Sequence, residues 1–471
     1  MSLEVSRQAT RFFISRVRSQ VGELLLQDYP GGHPGPKLWL GVLNGLLDTS
    51  ESYVNQSEQH GLPDQQVSQI LLDASKLART SYDLIEQMAG TAATDLHYSV
   101  VGPLQRWFEQ SGLKNTTLFR AQLVANYEIA PVDRTFFDRI RSPASSLEDA
   151  LNAVKWPLQR ITVPSAAFGV LPHYAIVAHE IGHALFGEVT WDFSQYQTEE
   201  DIFWGSVSAA LDGAVPSTDL VLFIQEVHNS WIAEIASDAF GYLMAGPAFF
   251  FALCGFLEAV GSGVGISESH PPNDLRRDLI FDRLQATNGV GAFTEVFERK
   301  TGQSLSRNIN STLIGVLPST DLLIANLANY LPSGPSISSK EKAVTLASLV
   351  PLMKAISPQV YNQAEEFIRK IKPELIYSQD RFLLDLDMHL EPLLYAIPPV
   401  ETRNSSQQTE PADFATILNV GWVALLAKLD QLRVRSGRKG DQQIEKGEAL
   451  HSLLLKAVEL SEAKRAWEGV P

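Results

Sequence analysis

The stretch PHYAIVAHEIGHALFG, residues 172–187, decides how the rest of the sequence is interpreted. Apart from three histidines and one glutamate, its side chains are apolar or small, which is the pattern of a helix buried on all sides. Pro172 is typical of a helix start and Gly187 of a helix end. Because burying two imidazoles and a carboxylate costs several kcal/mol unless they find partners, the stretch predicts a buried helix that carries a polar site.

The polar residues of this helix have the spacing of metal ligands. His179 and His183 are four positions apart, so both rings project from one face of the helix and can share a metal ion. Glu180 lies about 100° around the helix axis, beside these ligands without joining them. This is the H-E-x-x-H geometry of zinc hydrolases, in which the carboxylate takes a proton from the attacking water. The alternative interpretation, a surface helix with two unrelated histidines, conflicts with the apolar setting.

A second helical stretch, VHNSWIAEIASDAFGYL at 227–243, offers a third ligand. Glu234 and Asp238 are four positions apart and face the same way, and catalytic zinc takes three protein ligands and keeps a fourth position open. Glu234 is the favoured ligand, with Asp238 one turn on to accept the remaining N–H of a ligating histidine. His228 is the alternative ligand, but it points to a different face of a continuous helix. The predicted cofactor is therefore Zn²⁺, bound by His179, His183 and Glu234.

HEIGH followed by E-x-x-x-D resembles the gluzincin metallopeptidases, to which thermolysin belongs. The later segment SESHPPNDLRRD, at 267–278, resembles the CAAX prenyl protease and HtpX-like branch, in which H-P-x-x-x-x-R follows the third ligand. The resemblance covers residues 165–285 and implies a zincin-like core. Position by position, it implies zinc ligands at His179, His183 and Glu234, a general base and acid at Glu180, an orienting carboxylate at Asp238, and the late histidine and arginine at His270 and Arg276.

His270 is predicted to take part in catalysis. A histidine just ahead of Pro271 and Pro272 is held by a stiff backbone, so its ring direction is well defined. We expect it to donate to the oxyanion of the tetrahedral intermediate, with Arg276 orienting it or binding a nearby carboxylate. The alternative is that SESHPPNDLRRD is a polar turn before the next helix, with Arg276 in a surface salt bridge.

The composition limits the partners and the compartment. The formal net charge of −16 and the pI of about 5.1 predict no nucleic-acid binding. Cys254 is the single cysteine, which excludes an intrachain disulfide and a thiolate zinc site. The first twenty residues lack the apolar run of a signal peptide, so we expect a cytoplasmic protein.

One uncharged run, residues 239–257, just reaches the length of a membrane span. Gly246 and Pro247 interrupt it, so we expect two buried helices there instead. Many members of the branch that the sequence resembles have spans around H-E-x-x-H, whereas residues 184–233 are too charged for one. We therefore do not expect the chain to enter a membrane.

Hydrophobic periodicity organises the chain into three regions. They are an N-terminal helical region (1–115), a zincin-like metallopeptidase core (116–329) and a C-terminal helical region (330–471). Strand candidates at 119–133 and 161–172 predict a small sheet in the core. The expected fold class is therefore α+β and predominantly helical.

Two serines have the capping-box pattern that opens a helix. Ser145 with Glu148 predicts a helix that runs through Val154, and Ser338 with Glu341 predicts another. In such a box the serine side chain accepts from the backbone amide of the glutamate, whose carboxylate accepts from the amide of the serine.

These features predict a zinc-dependent endopeptidase that hydrolyses peptide bonds in a polypeptide substrate. In this fold class an edge strand commonly holds the peptide by strand addition, and residues 119–128 or 161–168 would supply it. The flanking helical regions leave room for a regulatory protein partner. The alternatives are a zinc-binding scaffold or inactive peptidase-like binding protein, and a membrane-embedded peptidase that uses the 239–257 run.

Overall fold

The chain is described by a computed structural model, which covers residues 3–30, 34–92, 98–122, 127–164, 171–213, 215–260, 266–286, 289–304, 337–403, 408–427, 432 and 442–469. It divides into two compact units. The first comprises Met1–Glu109 and Leu113–Phe168, and the second comprises Gln110–Gly112 and Gly169–Pro471. The described residues are predominantly helical with few strands, which confirms the predicted fold class at that level.

The core of the first unit is helical. Its helices are α1 (Leu3–Leu25), α2 (Gly35–Gln56), α3 (Asp64–Ile85), α4 (Tyr98–Gln110) and α5 (Ser145–Ala153). Helix α2 buries Trp39 and Leu43 completely, and α1, α3 and α5 pack against it. Gly45 lets α5 come close to α2, because a Cβ at Gly45 would lie 2.5 Å from Cα of Leu147.

A three-stranded sheet completes the first unit. Its strands are β1 (Thr117–Gln122), β2 (Glu128–Val132) and β3 (Leu158–Pro164), in the spatial order β1-β3-β2. Strand β3 is parallel to β1 and antiparallel to β2. Strands are therefore present where the sequence predicted them, but β3 is paired on both sides. The expectation that residues 161–168 offer a free edge to a substrate is wrong for 161–164, and 165–168 lie outside the described residues.

The sheet shares its core with the N-terminal helices. Leu118 of β1 and Leu158 of β3 are buried in the same apolar cluster as Trp39 of α2. The sequence placed the sheet with the 116–329 region, whereas these contacts place it in the first unit, because its apolar face is covered by α2 and its neighbours. The other predicted boundary, at 329/330, lies outside the described residues.

The second unit is built around one long helix. Its helices are α6 (Val177–Phe186), α7 (Gln197–Ala210), α8 (Thr218–Ala245), α9 (Pro247–Val260), α10 (Asn273–Ala286), α11 (Gly289–Thr301), α12 (Ser339–Ile371), α13 (Gln379–Leu394), α14 (Phe414–Leu426) and α15 (Gln442–Glu468), with a hairpin of β4 (Glu401–Arg403) and β5 (Thr409–Pro411). Helices α6, α9, α10 and α12 pack against α8. Trp231 and Phe240 of α8 are completely buried.

The predicted helix at 172–187 forms in two parts. A 3-10 turn, Leu171–Ile176, precedes α6, which ends at Phe186. The turn is held by the C-terminal helices: the amide of Leu171 donates to Nδ1 of His451 at 3.1 Å, and Trp422 donates to the carbonyl of Pro172 at 2.9 Å. Two backbone groups at the start of the predicted helix are therefore bound by side chains from elsewhere in the second unit.

The uncharged run 239–257 is divided between α8 and α9. Gly246 separates the two helices with a φ of +62°, a backbone conformation that glycine adopts without strain. The ring of Tyr377 packs against it, since a Cβ at Gly246 would lie 2.4 Å from the ring. The predicted break at Gly246-Pro247 is confirmed.

Among the described helices, α12 is the one that is long and apolar enough to cross a membrane by length and composition. In its most apolar window 44% of the residues are buried, and it packs against α7 and α8. Core helices of globular proteins pass the same test. The expectation that the chain does not enter a membrane therefore stays a prediction.

Gly182 sets the distance between α6 and α8. A Cβ at this position would lie 2.7 Å from Cα of Ser237 on α8. We expect Gly182→Ala to lower the free energy of unfolding by about 1–3 kcal/mol, because the helices must move apart to admit the methyl group. Urea unfolding followed by circular dichroism measures this change.

The matched control is Gly187→Ala, at the end of the same helix. Gly187 has a φ of −70°, and a Cβ there would meet nothing within 4 Å. The control is expected to stay within about 0.5 kcal/mol of the wild type. Equal stabilities for the two variants would contradict the close approach of α6 to α8.

Candidate metal centre

Three side chains from α6 and α8 converge in the second unit. The Nε2 atoms of His179 and His183 lie 3.1 Å apart. Glu234 places Oε2 at 3.5 Å from Nε2 of His179 and Oε1 at 3.2 Å from Nε2 of His183. The three ligand atoms all lie within 4.8 Å of one another, so the group could hold a metal ion. Two imidazoles and one carboxylate form a donor set found in catalytic zinc sites.

Asp238 lies directly behind the first histidine. Its Oδ1 is 2.9 Å from Nδ1 of His179, and the carboxylate is almost completely buried. A carboxylate at Nδ1 fixes the ring orientation and leaves the Nε2 lone pair for a metal ion. The i,i+4 relation of Glu234 and Asp238 on α8 produces this arrangement, with one carboxylate at each nitrogen of the same ring.

Arg276 of α10 binds both carboxylates of α8. Its Nε and Nη2 donate to the two oxygens of Asp238 at 2.7 Å each, and Nη1 lies 3.1 Å from Oε2 of Glu234. The arginine is only 4% exposed, so the alternative of a surface salt bridge is wrong. Arg276 was expected either to orient His270 or to bind a nearby carboxylate. The contacts show that it binds carboxylates, because its Nε and Nη2 groups both donate to Asp238.

The buried charges of the site shift one another's pKa values. Burial would raise the pKa of Glu234, but the Arg276 guanidinium and the two histidines hold it well below its usual range. Burial would also raise the pKa of Asp238, but Arg276 and His179 lower it. Burial would lower the pKa of His179, but the nearby carboxylates of Asp238 and Glu234 raise it to about 10. Both carboxylates are therefore ionised, and His179 carries a proton when no ion is bound.

These charges fit a divalent cation. The two carboxylates and the one guanidinium have a net charge of −1. The proton on His179 balances this charge, and a metal ion that replaces the proton would also balance it. Oε2 of Glu234 is buried, and within the described residues it accepts no well-aligned hydrogen bond although Arg276 lies near. Metal ligands must be deprotonated, and a buried carboxylate oxygen with spare acceptor capacity meets that need.

Two further predicted residues adjoin the group. Glu180 follows His179 on α6 and is half-buried. His270 lies in the turn before α10, with Nε2 at 3.6 Å from Oε1 of Glu234 and a side chain that is 53% exposed. Its Nδ1 lies 2.9 Å from the hydroxyl of Ser269, and Trp231 donates to the carbonyl of Ser267 at 3.0 Å, which ties the turn to α8. His270 is therefore at the solvent side of the ligand group.

The alternative third ligand is not part of the group. His228 lies on α8 six positions before Glu234, and the cluster that the described residues form contains Glu234 instead. The sequence interpretation missed Phe249, whose buried ring lies parallel to that of His179 with 6.2 Å between centroids. It also missed the hydroxyl of Ser269. Phe249 belongs to the uncharged run, whose only sequence signal is its apolar composition.

The geometry by itself defines a class of site: a buried group of two imidazoles and a carboxylate, with a second carboxylate and an arginine behind it. Comparisons of the chain with known protein families, with curated proteins and with solved structures find no significant match. Function is therefore inferred from the residues of this site.

Proposed function

We propose that the protein is a zinc-dependent endopeptidase of the gluzincin type, acting on polypeptide substrates. The observation that carries the proposal is the convergence of His179, His183 and Glu234, with Asp238 at the second nitrogen of His179. H-E-x-x-H with E-x-x-x-D in the sequence supports it. A zinc ion held there would make a coordinated water acidic, with a pKa of about 7, and would polarise the scissile carbonyl.

The residues of the chain have separate roles in the proposed reaction. Glu180 accepts a proton from the attacking water and then delivers it to the leaving amine. Asp238 and Arg276 keep the His179 ring and the Glu234 carboxylate in position, because each is held by short contacts in a buried setting. In the proposed reaction His270, whose exposed side chain lies beside Glu234, donates to the oxyanion of the tetrahedral intermediate.

A second candidate function is a zinc-binding scaffold without catalysis. Structural zinc sites are closed by four protein ligands, and the structure offers His270 as a fourth. Its Nε2 lies 3.6 Å from a ligand oxygen of Glu234. The two functions therefore differ in whether His270 binds the metal or leaves the fourth position open.

Metal analysis of purified variants separates the possibilities. We expect one zinc per chain in the wild type and a sharp loss in Glu234→Ala, because a site with two ligands is weak. His228→Ala is expected to keep its zinc and serves as the control from the same helix. Full zinc in Glu234→Ala together with loss in His228→Ala would refute the assigned ligand set.

The same analysis decides between the two functions. His270→Ala is expected to keep zinc at wild-type content and affinity if the site is an open, catalytic one. A loss of zinc in His270→Ala as sharp as the loss in Glu234→Ala would instead identify His270 as a ligand and favour the scaffold. Competition with a chromophoric chelator measures the affinity.

A further inference from the structure

The turn before α10 is folded around the side chain of Ser267. Its Oγ accepts from two backbone amides, that of His270 at 3.0 Å and that of Ser269 at 3.3 Å. The amide of Ser267 donates in turn to the carbonyl of His270 at 3.0 Å, which closes the turn. The backbone that carries His270 is therefore fixed by hydrogen bonds within the turn itself.

Two further contacts anchor the turn to the helices around it. Trp231 lies on α8 three positions before Glu234, and its indole nitrogen donates to the carbonyl of Ser267 at 3.0 Å. Glu268 pairs with Lys342 of α12 at 2.6 Å. Because α8 also supplies a proposed zinc ligand, the first contact holds the turn at a set position beside the metal centre.

Two serine hydroxyls lie near one nitrogen of the His270 ring. Oγ of Ser269 is 2.9 Å from Nδ1, Oγ of Ser267 is 3.4 Å from the same atom, and the two hydroxyl oxygens are 3.2 Å apart. A serine hydroxyl has one proton and two acceptor lone pairs. The two backbone amides occupy both lone pairs of Ser267, so its proton is left to be donated to Ser269 or to Nδ1.

The direction of this donation determines which nitrogen of His270 carries the hydrogen. If Ser267 donates to Ser269, the proton of Ser269 is directed to Nδ1, and if Ser267 donates to Nδ1 itself the outcome is the same. A neutral imidazole that accepts at Nδ1 carries its hydrogen on Nε2. The surroundings of Nε2 agree with this, since it faces the ionised Oε1 of Glu234 at 3.6 Å, where an N–H is favoured over a lone pair.

We infer that Ser267 and Ser269 form a hydroxyl relay that fixes His270 as a hydrogen-bond donor at Nε2, with Ser269 as the positioning residue. The consequence for hydrolysis rests on the proposed peptidase function. A ring with its hydrogen on Nε2 offers no lone pair there to a zinc ion, so the relay keeps the fourth position of the metal open. The same N–H supplies the donor that a tetrahedral oxyanion requires.

The position of the ring hydrogen is measured by nuclear magnetic resonance, without cleavage. Long-range proton–nitrogen correlations of ¹⁵N-labelled histidine are recorded at a pH of about 8, where imidazole is neutral, and the His270 signals are those missing from His270→Ala. We expect hydrogen on Nε2 in the wild type and in Ser269→Thr, which keeps the hydroxyl, and a mixture of both tautomers in Ser269→Ala. Hydrogen on Nδ1 in the wild type, or one ratio of tautomers in all three proteins, would overturn the inference.

A double-mutant cycle tests whether Ser269 acts through His270. Ser269→Ala is expected to lower kcat of peptide hydrolysis about 3–10-fold with KM within about twofold, because the ring loses one neutral hydrogen bond, and Ser269→Thr is expected to restore kcat. In a His270→Ala background the same alanine substitution is expected to change kcat by less than about twofold, since residues that act as a unit are not additive. An equal loss in both backgrounds would show a merely structural role and overturn the inference.

Glu268→Gln is the matched control from the same turn. Glu268 lies between the two serines, but its carboxylate contacts Lys342. The control is expected to keep kcat within about twofold of the wild type, because a partly exposed ion pair contributes little. A loss equal to that of Ser269→Ala would assign the effect to the fold of the turn and contradict the relay. Absence of hydrolysis by the wild type with zinc bound would instead refute the proposed function, and the tautomer measurement would still decide the inference.

Discussion

Glu180→Gln is expected to lower kcat of peptide hydrolysis by about 10²–10⁴-fold while the protein keeps its zinc and its fold. Glutamine has nearly the shape of glutamate but cannot accept the proton of the attacking water. Glu180 is outside the group of three ligand atoms, so its replacement leaves the metal ligands in place. Steady-state hydrolysis of a fluorogenic peptide, with zinc content measured on the same sample, gives the result.

Glu188→Gln is the control for this variant. Glu188 lies two residues after the end of α6, is exposed and is outside the ligand group. It is expected to change kcat by less than about twofold, because the substitution alters one surface charge. Wild-type kcat in Glu180→Gln would refute the proposed general base, and so would an equal loss in both variants.

Arg276→Met is expected to reduce the free energy of unfolding of the metal-free protein by about 3–5 kcal/mol. The substitution leaves Asp238 and Glu234 buried without their cation. Removing one partner of a buried ion pair is strongly destabilising, because the other partner stays buried with an uncompensated charge. Arg276→Lys keeps the charge but loses the two parallel hydrogen bonds to Asp238, so an intermediate loss is expected. Urea unfolding in the presence of a chelator measures all three proteins.

The control for this prediction is an exposed ion pair of the same unit. Arg299 lies 2.9 Å from Asp387, with both side chains about half exposed. Arg299→Met is expected to cost less than about 1 kcal/mol, since surface pairs contribute little. A similar loss in Arg276→Met and Arg299→Met would show that the buried arginine does not stabilise the site.

Helical periodicity alone predicted which residues of the site share a face. The four-residue spacing of His179 and His183, and of Glu234 and Asp238, brings each pair to one side of its helix. The sequence could not give the distance between the two helices. That distance depends on Gly182 against Ser237, and a glycine inside an apolar helix carries no signal of the residue it will meet.

The two capping boxes show how tertiary contacts override local patterns. The box of Ser338 and Glu341 forms as predicted, with both reciprocal hydrogen bonds at the start of α12. The box predicted for Ser145 and Glu148 is wrong, because Ala144 is the N-cap of α5. There the amide of Ala144 donates to Thr49 of α2 at 3.0 Å, so the helix start is fixed by a neighbour 95 residues away.

Strand positions followed from the sequence, but strand pairing did not. Two extended stretches were visible from their β-branched and apolar residues, yet nothing local indicated that β3 would lie between β1 and β2. Pairing depends on contacts between segments far apart in the chain, such as Leu118 with Arg160 and Ile129 with Ile161. The unit to which the sheet belongs was misjudged for the same reason.

The 3-10 turn that leads into α6 has a consequence for the order of assembly during synthesis. Its backbone partners, Trp422 and His451, come late in the chain, and His451 follows Leu171 by 280 positions. At a synthesis rate of about 5–20 residues per second, His451 leaves the ribosome roughly 15–60 s after Leu171. The proposed ligands of α6 and α8 are made before these partners. The helix that supplies His179 and His183 therefore gains the contacts of its leading turn only after residue 451 has been made.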